Sequence, residues 1–345
     1  MSVQTSPVAK VPIMVTINDV AKAAGVSKAT VSYVLSGNPR ISKGTVEKVR
    51  KTIDRLGYKV NHAARALSTA RTMTLAVSSW PQQGPYLALS SGLHMFALSH
   101  YAAKYGYSLM FINDSDGLLT LRDIAESKRV DGVIIMDVRE DDKRIEAAVD
   151  AGIPAVLFGY TDYPHGLTMI DSDYESEAAH IVSHLAERGI RETILFLQSK
   201  KVFRNRLGFA IRFRDAFLLE AASVGMKVDI VMPDDDDSDS SALIRDSILT
   251  HPEAGSIVFH NEAANIAAAG ILPSMGLKVP DDYYVVGVIA KYISDEFHLP
   301  FVSIDTYVNM LAETVIHALV TKIETPEQRL SDQLMTFPLA VPFAG

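Results

Sequence analysis

Two histidines stand at a spacing suited to binding a metal ion. His180 and His184 lie four positions apart in HIVSH, so they would share one face of a helix. No third ligand stands nearby, and no glutamate separates the two histidines as it does in a metalloprotease helix. We therefore predict that the chain holds no metal ion.

A short acidic run has the spacing that begins a calcium-binding loop. Asp171, Asp173 and Glu175 alternate as such a loop requires, but Ser176 replaces its glycine and Val182 its closing glutamate. The chain also lacks a phosphate-binding loop and the GxGxxG, GxSxG and HExxH motifs. We predict a protein without catalytic residues or a cofactor, which is not an enzyme.

Basic residues are concentrated at the front of the chain. The first 71 of 345 residues contain 12 lysines and arginines against three acidic residues, a net charge of +9, whereas the remainder carries −17 and the whole chain −8. This asymmetry indicates a basic module for an anionic partner, joined to an acidic body. The length suggests two or three domains.

Composition also bears on where the protein works. The chain has no cysteine and therefore no disulfide framework, which suits a reducing cytoplasm. Residues 1–14 lack the unbroken apolar core of a secretion signal, and no apolar run approaches the roughly 18 residues that span a membrane. We expect a cytoplasmic protein with a disordered leader at residues 1–14 and no membrane partner.

Three short helices are predicted behind this leader. The first has Thr16 as its N-cap and Gly25 as its left-handed end, with apolar residues at helical spacing between them. The third begins at Ser42 and ends at Gly57. Two helices joined by a tight turn containing glycine, in basic surroundings, are typical of a helix-turn-helix that binds the DNA major groove. A three-helix module that docks onto a protein is the alternative.

The second helix carries the expected DNA-reading face. Ser27 caps it, and Val31, Val34 and Leu35 are predicted to face inward. The residues that then point outward are Lys28, Ala29, Ser32 and Tyr33. We expect Lys28 to donate to guanine, Ala29 to contact at most a thymine methyl, and Ser27 and Thr45 to hold phosphates.

This front resembles the lactose/galactose repressor family of bacterial transcription regulators. The match continues through LGYKVNHAARALSTARTMTLAV, residues 56–77, where the family has a hinge helix. The resemblance implies a hinge cap at Asn61, a minor-groove alanine at Ala64 and an intercalating leucine at Leu67. Many members have arginine in place of Tyr33, so their preferred bases do not transfer. The expected DNA contacts are Thr16, Ser27, Lys28, Ala29, Ser32, Tyr33, Arg40, Thr45, Asn61, Ala64 and Leu67.

The body alternates short apolar runs with helical stretches, which predicts an α/β fold with parallel sheets in two lobes. The family resemblance implies a two-lobed body like a periplasmic sugar-binding protein, with a ligand cleft between the lobes. The expected domains are a helix-turn-helix at 15–60, a hinge and linker at 61–71, and an effector-binding and dimerisation body at 72–345. Its first lobe spans about 72–170 and 305–337, and its second about 171–304 and 338–345.

The effector residues are harder to assign from the sequence. Trp80 and Tyr86 follow the first strand, where a ligand cleft opens at strand ends, with core packing as the alternative. Asn261 in VFHNEAA matches a family Asn-Asp pair, with Glu262 in place of the aspartate. Ile289 and Gly159 stand where many members have pocket aspartates.

The arginine that contacts the ligand in the family is ambiguous in FRNRLGFAIRFRDAF, residues 203–217. Members often have it three residues before a Gly-aromatic pair, where this chain has Asn205 between two arginines. Another register puts Arg212-Phe213 in place of that pair and Phe209 in place of the arginine. We chose Arg206 as the candidate.

These features together predict a sequence-specific DNA-binding regulator. It is expected to be a repressor that binds a near-palindromic operator as a homodimer or a dimer of dimers. A small effector, a sugar or a derivative, would bind between the lobes and alter operator affinity. A regulator controlled by a protein co-regulator and a catalytic body fused to a DNA tether remain the alternatives.

Overall fold

The computed structural model describes residues 15–35, 40–58, 71–79, 87–112, 118–235 and 238–340. The chain divides into two compact units, Met1–Thr72 and Met73–Gly345, which we call the front unit and the body. Within the described residues no helix combines the length and the apolar character needed to cross a membrane.

Three helices form the front unit: α1 Ile17–Ala24, α2 Lys28–Leu35 and α3 Lys43–Leu56. Thr16 closes a capping box with Asp19, and Gly25 ends α1 in the left-handed conformation at φ 62°. Gly57 ends α3 in the same way. The buried core of the unit consists of Val20, Ala21, Ala24, Val31, Val34 and Val49. One expectation is wrong, because Leu35 in the last position of α2 is 37% exposed.

The body contains two six-stranded sheets covered by helices. Its strands are β1 Thr74–Ser78, β2 Ser108–Ile112, β3 Gly132–Met136, β4 Ala155–Phe158, β5 Thr168–Ser172, β6 Glu192–Phe196, β7 Lys227–Val231, β8 Ser256–Phe259, β9 Tyr284–Val288, β10 Val302–Ile304, β11 Gln333–Met335 and β12 Leu339–Ala340. Its described helices are α4 Leu87–Lys104, α5 Leu118–Glu126, α6 Lys143–Asp150, α7 Tyr174–Glu187, α8 Lys200–Arg204, α9 Gly208–Ser223, α10 Ser240–Thr250, α11 Glu262–Ser274, α12 Lys291–Glu296 and α13 Val308–Glu324.

Each sheet defines one lobe. The first has the order β11-β5-β4-β3-β1-β2 and is parallel throughout; the second has the order β12-β10-β9-β8-β6-β7 and is parallel except at its edge strand β12. The chain passes between the lobes after β5, after β10 and after β11. Parallel sheets need crossover helices on their faces, and the inner strands β3, β4 and β8 are accordingly buried along their whole length.

The predicted architecture is confirmed. The seven apolar runs expected to be strands form β1, β2, β3, β4, β6, β8 and β9. The periodicity did not reveal β5, because its sequence TMIDS is polar, β7, whose sequence KVDIV contains two charged residues, or the short strands β10, β11 and β12. The acidic run at 233–241 leads from β7 to α10, where Asp239 is the N-cap, and Asp234 and Asp235 are exposed.

Candidate functional site

Helix α2 of the front unit presents a continuous exposed face. Lys28, Ala29, Ser32 and Tyr33 are all exposed, while Val31 and Val34 are buried against the other two helices. The exposed face combines a cation, a methyl group, a hydroxyl and an aromatic ring. These are groups that hydrogen-bond or contact base edges in a major groove.

Hydroxyl side chains lie at the start of each helix of the front unit. Ser27 Oγ accepts a hydrogen bond from the Thr30 backbone N–H at 3.0 Å, and Thr16 Oγ1 bonds to Asp19 at 2.7 Å. Thr45 Oγ1 and Ser42 Oγ lie 2.9 Å apart in a hydrogen bond. A helix N-terminus with such hydroxyls is well suited to a phosphate. Arg40 is exposed, whereas Asn61, Ala64 and Leu67 lie outside the described residues.

The body encloses a cavity of about 160 Å³ at the carboxyl ends of its parallel strands. In open α/β sheets ligands bind at these ends, because loops there converge on one crevice. From the first lobe its lining includes Asp137, Phe158, Gly159, Tyr160 and Asp171. From the second lobe and the lobe connections it includes Tyr174, Gln198, Phe209, His260, Glu262, Ile289 and Thr306.

Asp137 directly follows β3 and is held by its neighbours. It adopts a positive φ of 52°, and Ser79 Oγ donates to its carboxylate at 2.5 Å. The guanidinium of Arg144 donates to the Asp137 carbonyl at 3.2 Å, to the Met136 carbonyl at 2.8 Å and to Asp142 at 2.6 Å. Arg144 is only 1% exposed, so this network fixes the loop that presents Asp137.

A second network surrounds Arg212 beside the cavity. Its guanidinium donates to Asp171 at 3.0 Å and to Glu175 at 2.6 Å. It also lies over the rings of Tyr160, 4.5 Å from the centroid, and Tyr174, 5.6 Å from the centroid. Burial raises the pKa of Asp171 to about 7, and the charge of Arg212 opposes that shift.

Glu177 lies behind this network in the first turns of α7. Burial is the main cause that raises the pKa of its carboxyl to about 9, and the negative charges of Asp171 and Asp173 add to the shift. Neither of its carboxyl oxygens has a hydrogen-bond partner. The group is therefore a neutral carboxylic acid at neutral pH.

His260 follows β8 and forms part of the aromatic wall. Its ring stacks on Phe213 at a centroid distance of 4.1 Å, and Phe209 and Tyr174 lie around it. Burial lowers the pKa of His260 to about 3, so its imidazole is neutral. Its Nδ1 is buried and has no hydrogen-bond partner.

The two lobes are bonded to each other beside the cavity. The Gly208 N–H donates to the Val138 carbonyl at 3.0 Å, and the Glu140 N–H donates to the Arg206 carbonyl at 3.3 Å. The side chains of Arg206 and Glu140 form an ion pair. Arg206 was predicted to face the effector, but its side chain is 65% exposed and is not among the residues that line this cavity.

Comparison with known proteins accounts for both units. Residues 16–61 match the model of bacterial regulatory proteins of the lacI family, and residues 182–341 match a periplasmic binding protein-like domain. The front unit therefore carries the DNA-binding domain of the lacI family. Catabolite control protein A of Priestia megaterium is 28% identical over 291 residues, which cover 79% of this chain and 82% of that protein.

Solved structures of lacI-family regulators share the fold. The Lac repressor dimer bound to operator and the anti-inducer ONPF aligns over 95% of this chain and 98% of that chain, with a TM-score of 0.75 and 20% identity. A complex of the transcriptional regulator CelR with cellobiose aligns over 96% of this chain and 99% of that chain, with a TM-score of 0.64 and 20% identity.

The cavity lining helps to decide which residue of this chain stands in place of the ligand-binding arginine of the lacI family. Phe209 lines the cavity, which favours the register that puts Phe209 in place of the family arginine. Ile289 and Gly159, which stand where many members have aspartates, also line it. A Cβ on Gly159 would lie 2.7 Å from the Val138 side chain, and its φ is 148°, so only glycine fits there.

The other predicted effector residues have different outcomes. Asn261 does not line the cavity, because its side chain caps α11 by accepting from the Ala264 N–H at 3.0 Å. The next residue, Glu262, lines the cavity instead. Trp80 and Tyr86 lie outside the described residues.

Sequence reasoning missed most of the lining residues. Asp137, Tyr160, His260 and Thr306 each stand one or two residues beyond a strand end. Their common signal is this position, since carboxyl ends of parallel strands converge. The first two positions after each predicted strand include Asp137, Tyr160 and His260, whereas Thr306 follows β10, which was not predicted.

One group of side chains has the spacing of a metal site. Ligand atoms of Asp229, His251 and Glu253 all lie within 4.8 Å of one another. Lys227 already pairs with Glu253 at 3.3 Å, and His251 lies 3.2 Å from Asp229. The positive charge of Lys227 argues against a cation at this place. The other candidate, His184, is hydrogen-bonded to the hydroxyl of Tyr284 at 2.6 Å.

Proposed function

We propose that the protein is a sequence-specific transcriptional repressor whose operator affinity depends on a small carbohydrate-like effector. The main observation behind this proposal is that one chain contains both a helix-turn-helix with an exposed face and a two-lobed body. The body encloses a cavity lined by polar and aromatic residues. The match of residues 16–61 to the lacI family model supports the DNA-binding part of this proposal.

The front unit acts as the DNA reader. Lys28 and Tyr33 contact base edges, Ser27 and Thr45 hold phosphates, and the hinge residues Asn61, Ala64 and Leu67 enter the minor groove. One small helix gives little affinity, so the protein binds as a homodimer to two half-sites of a near-palindromic operator. Such a regulator works in the cytoplasm, where the chromosome is.

The body acts by binding its effector between the lobes. Aromatic rings such as Tyr174 and Phe209 cover the apolar faces of a sugar, and carboxylates such as Asp137 and Glu262 accept its hydroxyl hydrogens. The volume of about 160 Å³ is smaller than the roughly 300–1,000 Å³ of drug-sized sites, which suits a ligand the size of a monosaccharide. We assign the body no catalysis, since the relatives are regulators.

The test begins with selection of binding sites from random duplex DNA by the full chain. A near-palindromic consensus, a dimeric complex and an affinity that falls steeply with salt are expected, because several phosphates are contacted. Sugars are then titrated into the complex. Monomeric, salt-independent binding would contradict the DNA-reading role, and an operator affinity unchanged by every sugar would leave control to a protein partner.

A further inference from the structure

The charged residues that line the cavity are of one sign. Its described lining contains the carboxylates of Asp137, Asp171 and Glu262, and no lysine or arginine. Among the described lining residues the histidines are His94 and His260. An anionic ligand there would meet three carboxylates and no lysine or arginine of the described lining, and burying a charge without a partner of opposite sign is costly.

His260 does not supply the missing positive charge. Its imidazole stays neutral at any physiological pH, because burial against Phe213 and Phe209 disfavours the protonated form. The residue is 4% exposed, and its Nδ1 has no hydrogen-bond partner. A neutral imidazole has one N–H donor and one acceptor nitrogen, so it can hydrogen-bond a hydroxyl but supplies no positive charge to an anion.

The wall of the cavity already holds one cation on its other side. The Arg212 guanidinium is bound by Asp171 and lies over the rings of Tyr160 and Tyr174, and these three residues also line the cavity. Carboxylates combined with aromatic faces are the groups that bind ammonium and guanidinium ions. The residues that hold the guanidinium of Arg212 therefore also line the cavity.

The surroundings of this wall remain acidic after Arg212 is counted. The carboxylates of Asp171, Asp173 and Glu175 each raise the pKa of Glu177, which is itself neutral at neutral pH, and Arg212 is the cation that lowers it. Phe209 contributes an apolar ring to the cavity lining, whereas the family resemblance, in the register that Phe209 fits, puts an arginine at this position. The local potential thus favours a positively charged ligand.

From this lining we infer that the effector bears a basic amine on a small polyhydroxylated ring, as an amino sugar does. The inference rests on the proposed function and names the class of its effector. The ammonium lies against the carboxylates of Asp137 and Glu262, and the hydroxyls and apolar faces of the ring contact the remaining polar and aromatic groups. Phosphorylated and carboxylated sugars are excluded by the same charges.

Sugars that differ only in one charged group can distinguish a basic effector from a neutral or an anionic one. D-Glucosamine and D-galactosamine are titrated into the full chain beside D-glucose, D-galactose, glucose 6-phosphate and glucuronate, with unfolding temperature and calorimetry as readouts. At least one amino sugar should bind at least tenfold more tightly than its hydroxyl counterpart, and the anionic sugars should not bind. Equal binding of the amine and hydroxyl forms, or tighter binding of an anionic sugar, overturns the inference.

Variants test the assigned residues. Glu262→Gln and Asp137→Asn should each reduce the preference for the amine over the hydroxyl form at least threefold, and Phe209→Arg should admit glucose 6-phosphate. Asp295→Asn removes an exposed carboxylate that pairs with Lys291 outside the lining, and it should change nothing. Unchanged preference in both acidic variants, with their unfolding transitions intact, contradicts the assignment.

The two possible failures differ. If neutral sugars stabilise the protein and amino sugars add nothing, the amine is wrong while the carbohydrate effector stands. If no sugar of any class shifts the unfolding temperature, both the inference and the carbohydrate effector are wrong, because a ligand that binds only the folded state must raise stability.

Discussion

The backbone N–H of Gly208 donates to the carbonyl oxygen of Val138 at 3.0 Å, so the first residue of α9 in the second lobe is bonded directly to the loop after β3 in the first. Val138 follows Asp137, and Phe209 follows Gly208. This bond therefore sets the separation between two residues that line the cavity from opposite lobes.

We predict that Gly208→Ala weakens effector binding. An added Cβ would lie 3.0 Å from the Tyr160 carbonyl and 3.4 Å from that of Val138, so the lobes must shift apart there. Loss of one hydrogen bond of about 1 kcal/mol corresponds to roughly a fivefold rise in Kd. Calorimetry with the bound sugar measures it. Gly270→Ala is the control, because nothing lies within 4 Å of its added Cβ; equal affinities for the two variants would contradict the prediction.

Lys28→Ala should change which bases the protein tolerates. The lysine is exposed on α2, and a contact with guanine contributes about 1–3 kcal/mol of discrimination. Thr45→Ala should weaken all sequences alike, since a phosphate contact carries no base information. Binding-site selection with each variant is the measurement. Lys51→Ala, which removes an exposed lysine paired with Glu47 on α3, is the control. An unchanged consensus for Lys28→Ala would show that another residue reads the base.

Glu177→Gln should stabilise the protein increasingly as pH rises. The pKa of Glu177 is raised from 4.5 to about 9 in the folded state, so between these values the unfolded chain has released a proton that the folded chain retains. This group's contribution to stability is therefore full at low pH and is lost as pH rises through that window. Glutamine carries no such proton. Unfolding temperatures should agree near pH 5, and the variant should exceed wild type by at least about 2 °C at pH 8.

The control for that measurement lies on the same helix. Glu187→Gln changes an exposed glutamate at the end of α7, and its difference from wild type should not grow with pH. A Glu177→Gln curve parallel to wild type across pH 5 to 8 would mean that the buried carboxyl titrates normally.

Leu67→Ala should reduce operator affinity by several kcal/mol and lessen DNA bending. The resemblance implies that Leu67 inserts between two base pairs as an apolar wedge. Removing it would abolish the unstacking of that base step, and the contacts that the bent duplex makes with the protein would be lost with it. Residue 67 lies outside the described residues, so the prediction rests on NHAARALS alone. Affinity and bend angle beside wild type decide it, with dimerisation and unfolding temperature as controls. Wild-type values of both would leave Leu67 a linker residue.

Local chemistry made the front unit predictable. Thr16, Ser42, Gly25 and Gly57 fix helix ends through contacts within a few residues, so their roles are visible in the sequence. Strands β10 to β12 are two or three residues long and exist because of partners far away in the chain, which periodicity does not register.

The effector residues depend on the fold in the same way. Arg206 and Phe209 are three residues apart, and only the position of α9 against the first lobe shows that one pairs with Glu140 at the surface while the other lines the cavity. The role of Asp137 becomes visible only in the fold, where Arg144 donates to its carbonyl and Ser79, 58 residues away in the chain, donates to its carboxylate.

Helix α13 and strand β11 come late in the chain, but they pack in the first lobe, whose other strands β1 to β5 come early. The α13 side chains of Leu319 and Ile323 lie so close to Gly132 at the start of β3 that a Cβ there would come within 2.9 Å of each. During synthesis, residues 73–172 therefore leave the ribosome before the helix that covers their sheet has been made. About 150 more residues must be synthesised before α13 is complete, which takes some 8 to 30 seconds at 5–20 residues per second. The second lobe, whose strands β6 to β10 are consecutive, is nearly complete by then, so the lobe made first is the one finished last.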